Sequence, residues 1–242
     1  MKSLIFAKRN FKEIARDPLS LVFCIGLPLF FLILFQQFKI PNEVYSIENF
    51  APSMAVFGFA FISLFTGQLV GSDRSSSFLS RLYASPMKPK DYIIGYGLSL
   101  MPVILLQNVL FFGVACLLGL KFSINVIFTI LVLTLVSTLF VACGILLGSK
   151  FNTKQVGGVF SLLINLVCFT SGMFFDVSLA GKFFKIICQI LPFSRIVDLS
   201  RAVLIGDYSN LLVTTLIVAL YLIAIIILSI YVFKKNMTTD KK

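Results

Sequence analysis

Six long runs without a charged residue dominate this sequence and restrict the folds open to it. The shortest has 21 residues, and together they cover residues 18–38, 49–72, 92–120, 122–149, 155–175 and 208–233. A helix needs about 20 apolar residues to cross roughly 30 Å of hydrocarbon, so each run is long enough for one crossing. Barrel strands would be nearer about ten residues and would alternate apolar with polar positions. The runs therefore predict an all-α membrane protein with six transmembrane helices.

The composition favours the same class of protein. Hydrophobic residues make up 58% of the 242 residues and charged residues only 13%, and the mean hydropathy is +1.00. A water-soluble domain of this size has too little interior to hide so much apolar surface. We therefore expect lipid to be the solvent for most of the chain.

The charged residues between the runs predict the orientation in the membrane. If both termini are cytoplasmic, 15 of the 21 Lys and Arg residues lie on the cytoplasmic side, which has a net charge of +10 against +1 outside. Loops rich in Lys and Arg stay in the cytoplasm. This asymmetry accounts for the overall charge of +11 without a nucleic-acid partner. We expect a multi-pass protein of the cell membrane with both termini inside.

Residues 1–17 predict an amphipathic helix lying on the membrane surface. Leu4, Ala7, Phe11 and Ile14 recur at intervals of three and four, and charged residues occupy the other face. A basic face of this kind is attracted to anionic lipid. A cleaved signal peptide is the alternative. The charge-free run that follows is too long for one, and no small-x-small cleavage site follows it, which favours an uncleaved interfacial helix.

The segment 72–91 is the longest interruption of apolar sequence on the predicted cytoplasmic side. It predicts a short helix over residues 76–84 that ends before Pro86, because proline lacks an N–H and disfavours helix at the preceding residue. Apolar side chains would share one side of this helix, with arginines exposed to solvent. Such a helix is a candidate docking surface, and a plain solvated loop is the alternative. The residues concerned are Arg74, Phe78, Leu79, Arg81, Leu82, Tyr83, Ser85 and Pro86.

Polar residues within the predicted spans form a second group of candidates. Adjacent amides at bilayer depth are costly unless they are paired. They either line a substrate path or bond to a neighbouring helix, and the sequence leaves both open. The candidates for the path are Gln107, Asn108, Asn165 and Thr170. Tyr92 and Tyr96 are expected at the cytoplasmic interface, where aromatic rings with a polar tip are favoured.

Residues 177–206 predict an outer re-entrant hairpin before the last span. An apolar helix over residues 182–191 is too short to cross the membrane, and Pro192 ends it. A second helix follows, with Arg195, Asp198 and Arg201 at three-residue spacing on one face. Backbone that enters the bilayer without crossing it must be covered by protein. The alternative is a loose external loop.

The residues of the chain offer no obvious reaction chemistry. There is no histidine, and the five cysteines lie in apolar sequence without metal-ligand spacing, so we expect them to pack as small apolar residues and the chain to bind no metal. The predicted spans also lack the acidic residues that relay a coupling ion. If the chain transports a solute, we therefore expect a partner to supply the energy.

The whole chain resembles the membrane subunit of an ABC-2 type transporter. The likeness is most specific from Asn49-Phe-Ala-Pro52 through the second run to the segment 72–91, and it recurs around Pro192, Arg201 and Gly206. The family's usual residues are present at Asp73, Arg74, Leu79, Arg81, Leu82, Ser85 and Pro86. The chain departs from the family at Ser75, Ser77, Phe78 and Ser80, where acid, glycine, threonine and glutamate are usual.

The resemblance implies a single ABC-2 transmembrane domain over residues 1–242 and an exporter with no ATPase site of its own. Two copies, or this chain and a similar permease, would pack side by side on separate ATPase subunits that bind ATP and Mg. Phe78, Leu79, Leu82 and Tyr83 would insert into a groove on the ATPase. The lack of large external regions favours a small amphipathic drug, antibiotic or peptide as substrate. Alternatives are export of a polysaccharide or teichoic-acid precursor, and a membrane scaffold that transports nothing.

Overall fold

The computed structural model describes residues 2–38, 40–76, 89–151, 153–175 and 181–239. The regular structure in these ranges is helical, with no strand among them, which confirms an all-α membrane protein. A π-helical turn, Val22–Gly26, joins the helix that ends at Leu21 to the one that begins at Leu27. The helices are α1 (Lys2–Ala15), α2 (Pro18–Leu21), α3 (Leu27–Gln37), α4 (Ile47–Ser75), α5 (Pro89–Leu117), α6 (Ile124–Lys150), α7 (Thr153–Thr170), α8 (Lys182–Ile190), α9 (Pro192–Ile205) and α10 (Leu211–Thr239).

Five helical stretches of the described chain are long and apolar enough to cross a membrane. They are Pro18–Gln37, Ile47–Ser75, Lys90–Leu117, Ile124–Lys150 and Leu211–Lys235. The sixth predicted span corresponds to α7, whose apolar part, Lys154–Thr170, is shorter. Its 17 residues rise about 26 Å at 1.5 Å each. The helix stops at Thr170 because the chain turns there, with Gly172 at φ 72°. The count of six spans therefore stays a prediction.

Helix α4 forms the centre of the bundle. In its most apolar 18-residue stretch, 83% of the residues are buried, against 6% in α10. It packs most extensively on α6, where the Gly144-x-x-x-Gly148 spacing predicts a close approach of two helices. A Cβ on Gly144 would lie 2.5 Å from the carbonyl oxygen of Ser63, and one on Gly148 would lie 2.5 Å from that of Gly67. The two glycines therefore set the distance between α4 and α6.

Helices α8 and α9 occupy the region of the predicted hairpin. Leu191 is extended between them, and the hydroxyl of Ser194 donates to the carbonyl of Cys188 at 2.8 Å across the bend. Gly206, at φ 83°, ends α9 in the left-handed conformation that glycine adopts without strain. The two short helices are thus present, while their depth in a bilayer stays a prediction.

Candidate functional site

The carboxylate of Asp73 joins three helices at the end of the bundle where α1 lies. Asp73 is buried, with only 1% of its surface exposed. Nη1 of Arg9, on α1, donates to Oδ1 at 2.7 Å and to Oδ2 at 2.9 Å, and the hydroxyl of Tyr96, on α5, donates to Oδ2 at 2.8 Å. A buried charge is costly unless it is paired and hydrogen-bonded, and these contacts supply both. We call Arg9, Asp73 and Tyr96 the Asp73 junction.

Aromatic packing closes the Asp73 junction from the α1 side. The ring of Phe6 meets Tyr92 edge-on at 5.6 Å and Tyr96 at 4.9 Å, measured between ring centroids. Gly95 permits this contact, because a Cβ there would lie 2.5 Å from Cδ1 of Phe6. Both tyrosines are fully buried. They therefore lie beneath α1, and their place at the cytoplasmic interface stays a prediction.

Arg74 extends the same junction to a fourth helix. Its Nη1 donates to the carbonyl oxygen of Ser149, near the end of α6, at 2.7 Å. The sequence pattern had left this arginine exposed to solvent, but it is half-buried and bonded to protein. Two neighbouring residues at the end of α4 thus hold α1, α5 and α6. The other predicted coupling residues lie outside the described residues: Phe78, Leu79, Arg81, Leu82, Tyr83, Ser85 and Pro86.

The two adjacent amides of α5 bond to neighbouring helices. Nε2 of Gln107 donates to the carbonyl of Ala55 on α4 at 3.3 Å, against Gly58, where any Cβ would overlap it. Nδ2 of Asn108 donates to the hydroxyl of Thr134 on α6 at 3.1 Å. The amide oxygens of both residues are buried and have no hydrogen-bond partner. Each side chain therefore helps to join helices and keeps one acceptor free.

The other two candidates for a substrate path have different surroundings. Asn165 is exposed on α7 and donates to the carbonyl of Ser161 in its own helix at 2.8 Å. Thr170 is buried and donates to the carbonyl of Leu166 at 2.6 Å. The four polar residues thus have separate sets of neighbours, and a substrate path through them stays a prediction.

Arg201 organises the opposite end of the bundle. Its Nε donates to the carbonyl of Asn49 at 3.0 Å, and its Nη2 donates to Ser53 Oγ at 2.8 Å and to the carbonyl of Gly172 at 3.2 Å. The side chain therefore ties α9 to the start of α4 and to the turn after α7. The sequence singled out Arg201, and Asn49 only as part of the family likeness, but it did not indicate that the two residues meet. The only local signal was the polar pair Asn49 and Ser53, four residues apart on one helix face.

A cavity of about 340 Å³ lies beside Arg201. We call it the hairpin cavity, because α8 and α9 form much of its wall. The structure brings three predicted hairpin residues together in its lining, Arg195, Asp198 and Arg201, and Pro192 starts the helix that holds them. The described residues contain no group of three or more His, Cys, Asp or Glu that could hold a metal ion.

Comparison with known proteins identifies one family. The family model for the ABC-2 type transporter matches residues 2–205, from the start of α1 to the end of α9. No curated protein sequence matches the chain. The family match covers both ends of the bundle described above, the Asp73 junction and the hairpin cavity.

Proposed function

Because the chain belongs to the ABC-2 type transporter family, we propose that it is the permease subunit of an ABC exporter. It moves a small amphipathic molecule, such as a drug, antibiotic or peptide, out of the cytoplasm. A separate subunit hydrolyses ATP with Mg, and this chain has no ATPase site of its own. The observation that carries the proposal is the Asp73 junction, which joins α1, α4 and α5 beside the two helix ends that residues 77–88 connect.

The junction supports a mechanical role for this end of the bundle. Residues 77–88 connect α4 to α5 along the chain, and both helices are held by the junction. Movement of this segment by an ATPase is therefore passed to α1 through Arg9 and to α6 through Arg74. Because α4 is the most buried span, its displacement changes the packing of the whole bundle and alternates access to the two sides.

The outward face of α7 supports assembly with a second copy of the chain or a similar permease. Gly157, Gly158, Ser161 and Asn165 are exposed on it, and no atom lies within 4 Å of a Cβ placed on either glycine. An amide facing lipid is unfavourable, and small residues allow a second helix to approach closely. The second subunit covers this face, and the substrate path lies between the two subunits.

Site-specific crosslinking tests the ATPase partner. A single cysteine replaces Arg81 in a background where the five native cysteines are removed, and crosslinked products from native membranes are identified by mass spectrometry. We expect an ABC-type ATPase to be captured. A cysteine at Lys121, in the turn between α5 and α6 at the other end, is the matched control and should capture none.

A second variant tests the apolar contact directly. Leu82→Asp should abolish capture and transport, whereas Leu82→Met should retain both, because the proposed groove on the ATPase accepts an apolar side chain. Capture of only lipid or of the same chain, in a protein that inserts correctly, would instead favour a scaffold without transport.

A further inference from the structure

The hairpin cavity has the size of a small binding site. Its volume of about 340 Å³ lies at the lower end of the range for ligand sites, which begins at about 300 Å³. Four parts of the chain enclose it: the connection before α4, the start of α4, the turn after α7, and the α8–α9 pair. A cavity built by so many elements is a product of the tertiary fold.

The charges around the hairpin cavity favour an anion. Lys185, Arg195 and Arg201 line it together with two acids, Glu43 and Asp198, so the lining has one excess positive charge. Arg201 is engaged with three protein oxygens. In the described part of the chain, Lys185 and Arg195 form no ion pair. Two cationic side chains are therefore available to a ligand.

A buried hydroxyl group in the wall also lacks a partner. Ser171 is 2% exposed and lines the cavity, yet its Oγ makes no hydrogen bond. A buried hydroxyl without a partner is unfavourable. Because Ser171 lines the cavity while its Oγ is fully buried, rotation about its Cα–Cβ bond would let the hydroxyl donate the missing hydrogen bond to an oxygen atom of a ligand inside the cavity.

The faces of α8 indicate that the ligand has an apolar part. Phe183, Ile186 and Ile190 lie on one face and are exposed, Phe183 by 78%. Lys185 and Gln189, one turn apart on another face, line the cavity. An apolar face left open beside a charged cavity matches a molecule with hydrocarbon chains and a charged headgroup.

We propose that the hairpin cavity binds the phosphate headgroup of a membrane phospholipid, whose acyl chains lie along the exposed apolar face of α8. The planar guanidinium of Arg195 donates to two phosphate oxygens. Lys185 supplies a second positive charge, and the hydroxyl of Ser171 donates to a third oxygen. The site requires no transport step and no ATPase, so it stands independently of the proposed export function.

Lipid titration of the full chain in detergent tests this site. Dioctanoyl phosphatidylglycerol is the probe, and dioctanoylglycerol, which has the same chains and no phosphate, is the comparison ligand. Bound lipid is counted by native mass spectrometry. We expect the phospholipid to bind and the neutral lipid to bind at least about tenfold more weakly, because only the former can pair with the two cations.

Charge-matched variants locate the binding. Lys185→Gln with Arg195→Gln should weaken phosphatidylglycerol binding about tenfold or more. The control, Lys121→Gln with Lys182→Gln, removes the same charge from exposed positions outside the cavity lining and should change binding by less than about twofold. Equal weakening in both variants would mean non-specific attraction and would overturn the site.

A single substitution tests the same site in case the double variant does not fold. Ser171→Ala should weaken phospholipid binding severalfold, whereas Ser123→Ala, at an exposed serine before α6 whose side chain makes no cap hydrogen bond, should not. Far-UV circular dichroism checks that each variant is folded. Displacement of the lipid by inorganic phosphate at the same concentration as the lipid itself would assign the cavity to a free anion. That result, or equal binding of the neutral lipid, overturns the proposal.

Discussion

At the scale of single residues, the buried charged groups of this protein matter most. The carboxylate of Asp73 is inside the protein, and its stability there depends on donors from two other helices. Neither donor is close in sequence, since Arg9 lies 64 positions and Tyr96 lies 23 positions away. A carboxylate at the end of an apolar run was visible in the sequence, but its partners were not. Arg74 is a second case: the sequence placed it in solvent and did not indicate its partner, the carbonyl of Ser149.

Loss of the charge on Asp73 should destabilise the protein. Asp73→Asn keeps the shape of the side chain but removes the buried counter-ion of Arg9, which then keeps only the more exposed Glu13, 2.9 Å from its Nη2. We expect a loss of about 2 kcal/mol in the free energy of unfolding. Tyr96→Phe removes one hydrogen bond to the same carboxylate and should cost about 1 kcal/mol. Thermal unfolding in detergent, followed by far-UV circular dichroism, measures both, because the chain has no Trp for fluorescence.

An exposed carboxylate serves as the control for this series. Asp207 lies at the other end of the bundle, and its Oδ1 accepts from the backbone N–H of Ser209, a bond that an Asn side chain can keep. The same bond holds the pKa of Asp207 below its usual range. Asp207→Asn should therefore leave the melting temperature almost unchanged. If it lowered the melting temperature as much as Asp73→Asn, the burial of Asp73 would not be the cause.

At the scale of helices, the contact between α4 and α6 controls the bundle. The charge-free runs located both helices, and the Gly144–Gly148 spacing indicated that α6 approaches another helix. The spacing could not say which helix, because small residues occur on many membrane helices. The structure assigns this contact to α4, where the backbone at Gly67 lies against Gly148.

A methyl group at this contact should separate the two helices. Gly148→Ala places a Cβ 2.5 Å from the carbonyl oxygen of Gly67 and 2.8 Å from its Cα, both backbone atoms that cannot move aside alone. We expect a loss of about 1–3 kcal/mol in stability, as for other overpacked sites. Gly113→Ala, on α5, is the matched control because nothing lies within 4 Å of its added Cβ. Ala favours helix over Gly, so this variant should be equally or more stable.

Melting temperatures of the two variants, measured under one detergent condition, show whether a methyl group at the α4–α6 contact destabilises the protein. Gly148→Ala should melt lower than the unchanged protein and Gly113→Ala should not. Similar melting temperatures for both would show that the α4–α6 contact has room for a side chain.

At the scale of the whole molecule, the distribution of polar residues on the outer surface is informative. The exposed faces of α10 are apolar, with Leu212, Leu216 and Leu220 exposed by more than half, as expected for helices in lipid. The outward face of α7 instead combines small and polar side chains, including Asn165, with the exposed apolar residues Leu162, Leu166 and Phe169. This difference is the reason that the proposed second subunit is assigned to α7.

Crosslinking between copies tests that assignment. Asn165→Cys in the cysteine-free background should form a covalent dimer in native membranes after mild oxidation, because the proposed contact brings the two α7 helices together. Leu220→Cys on α10 is the control. Leu220 is 67% exposed, and the variant should remain monomeric. Dimers at Leu220 but none at Asn165 would move the interface to α10.

The sequence alone determined that this chain is a helical membrane protein of the ABC-2 type, because length without charge and the order of motifs are local properties that need no tertiary contact. It also indicated Pro192 as the break between two short helices. Only the tertiary structure decided which distant groups meet: Arg9 with Asp73, Gln107 with α4, and Arg201 with Asn49, 152 positions away. The physical reason is that a buried polar group is stable wherever it finds a partner, and helix packing alone determines which partner lies within reach.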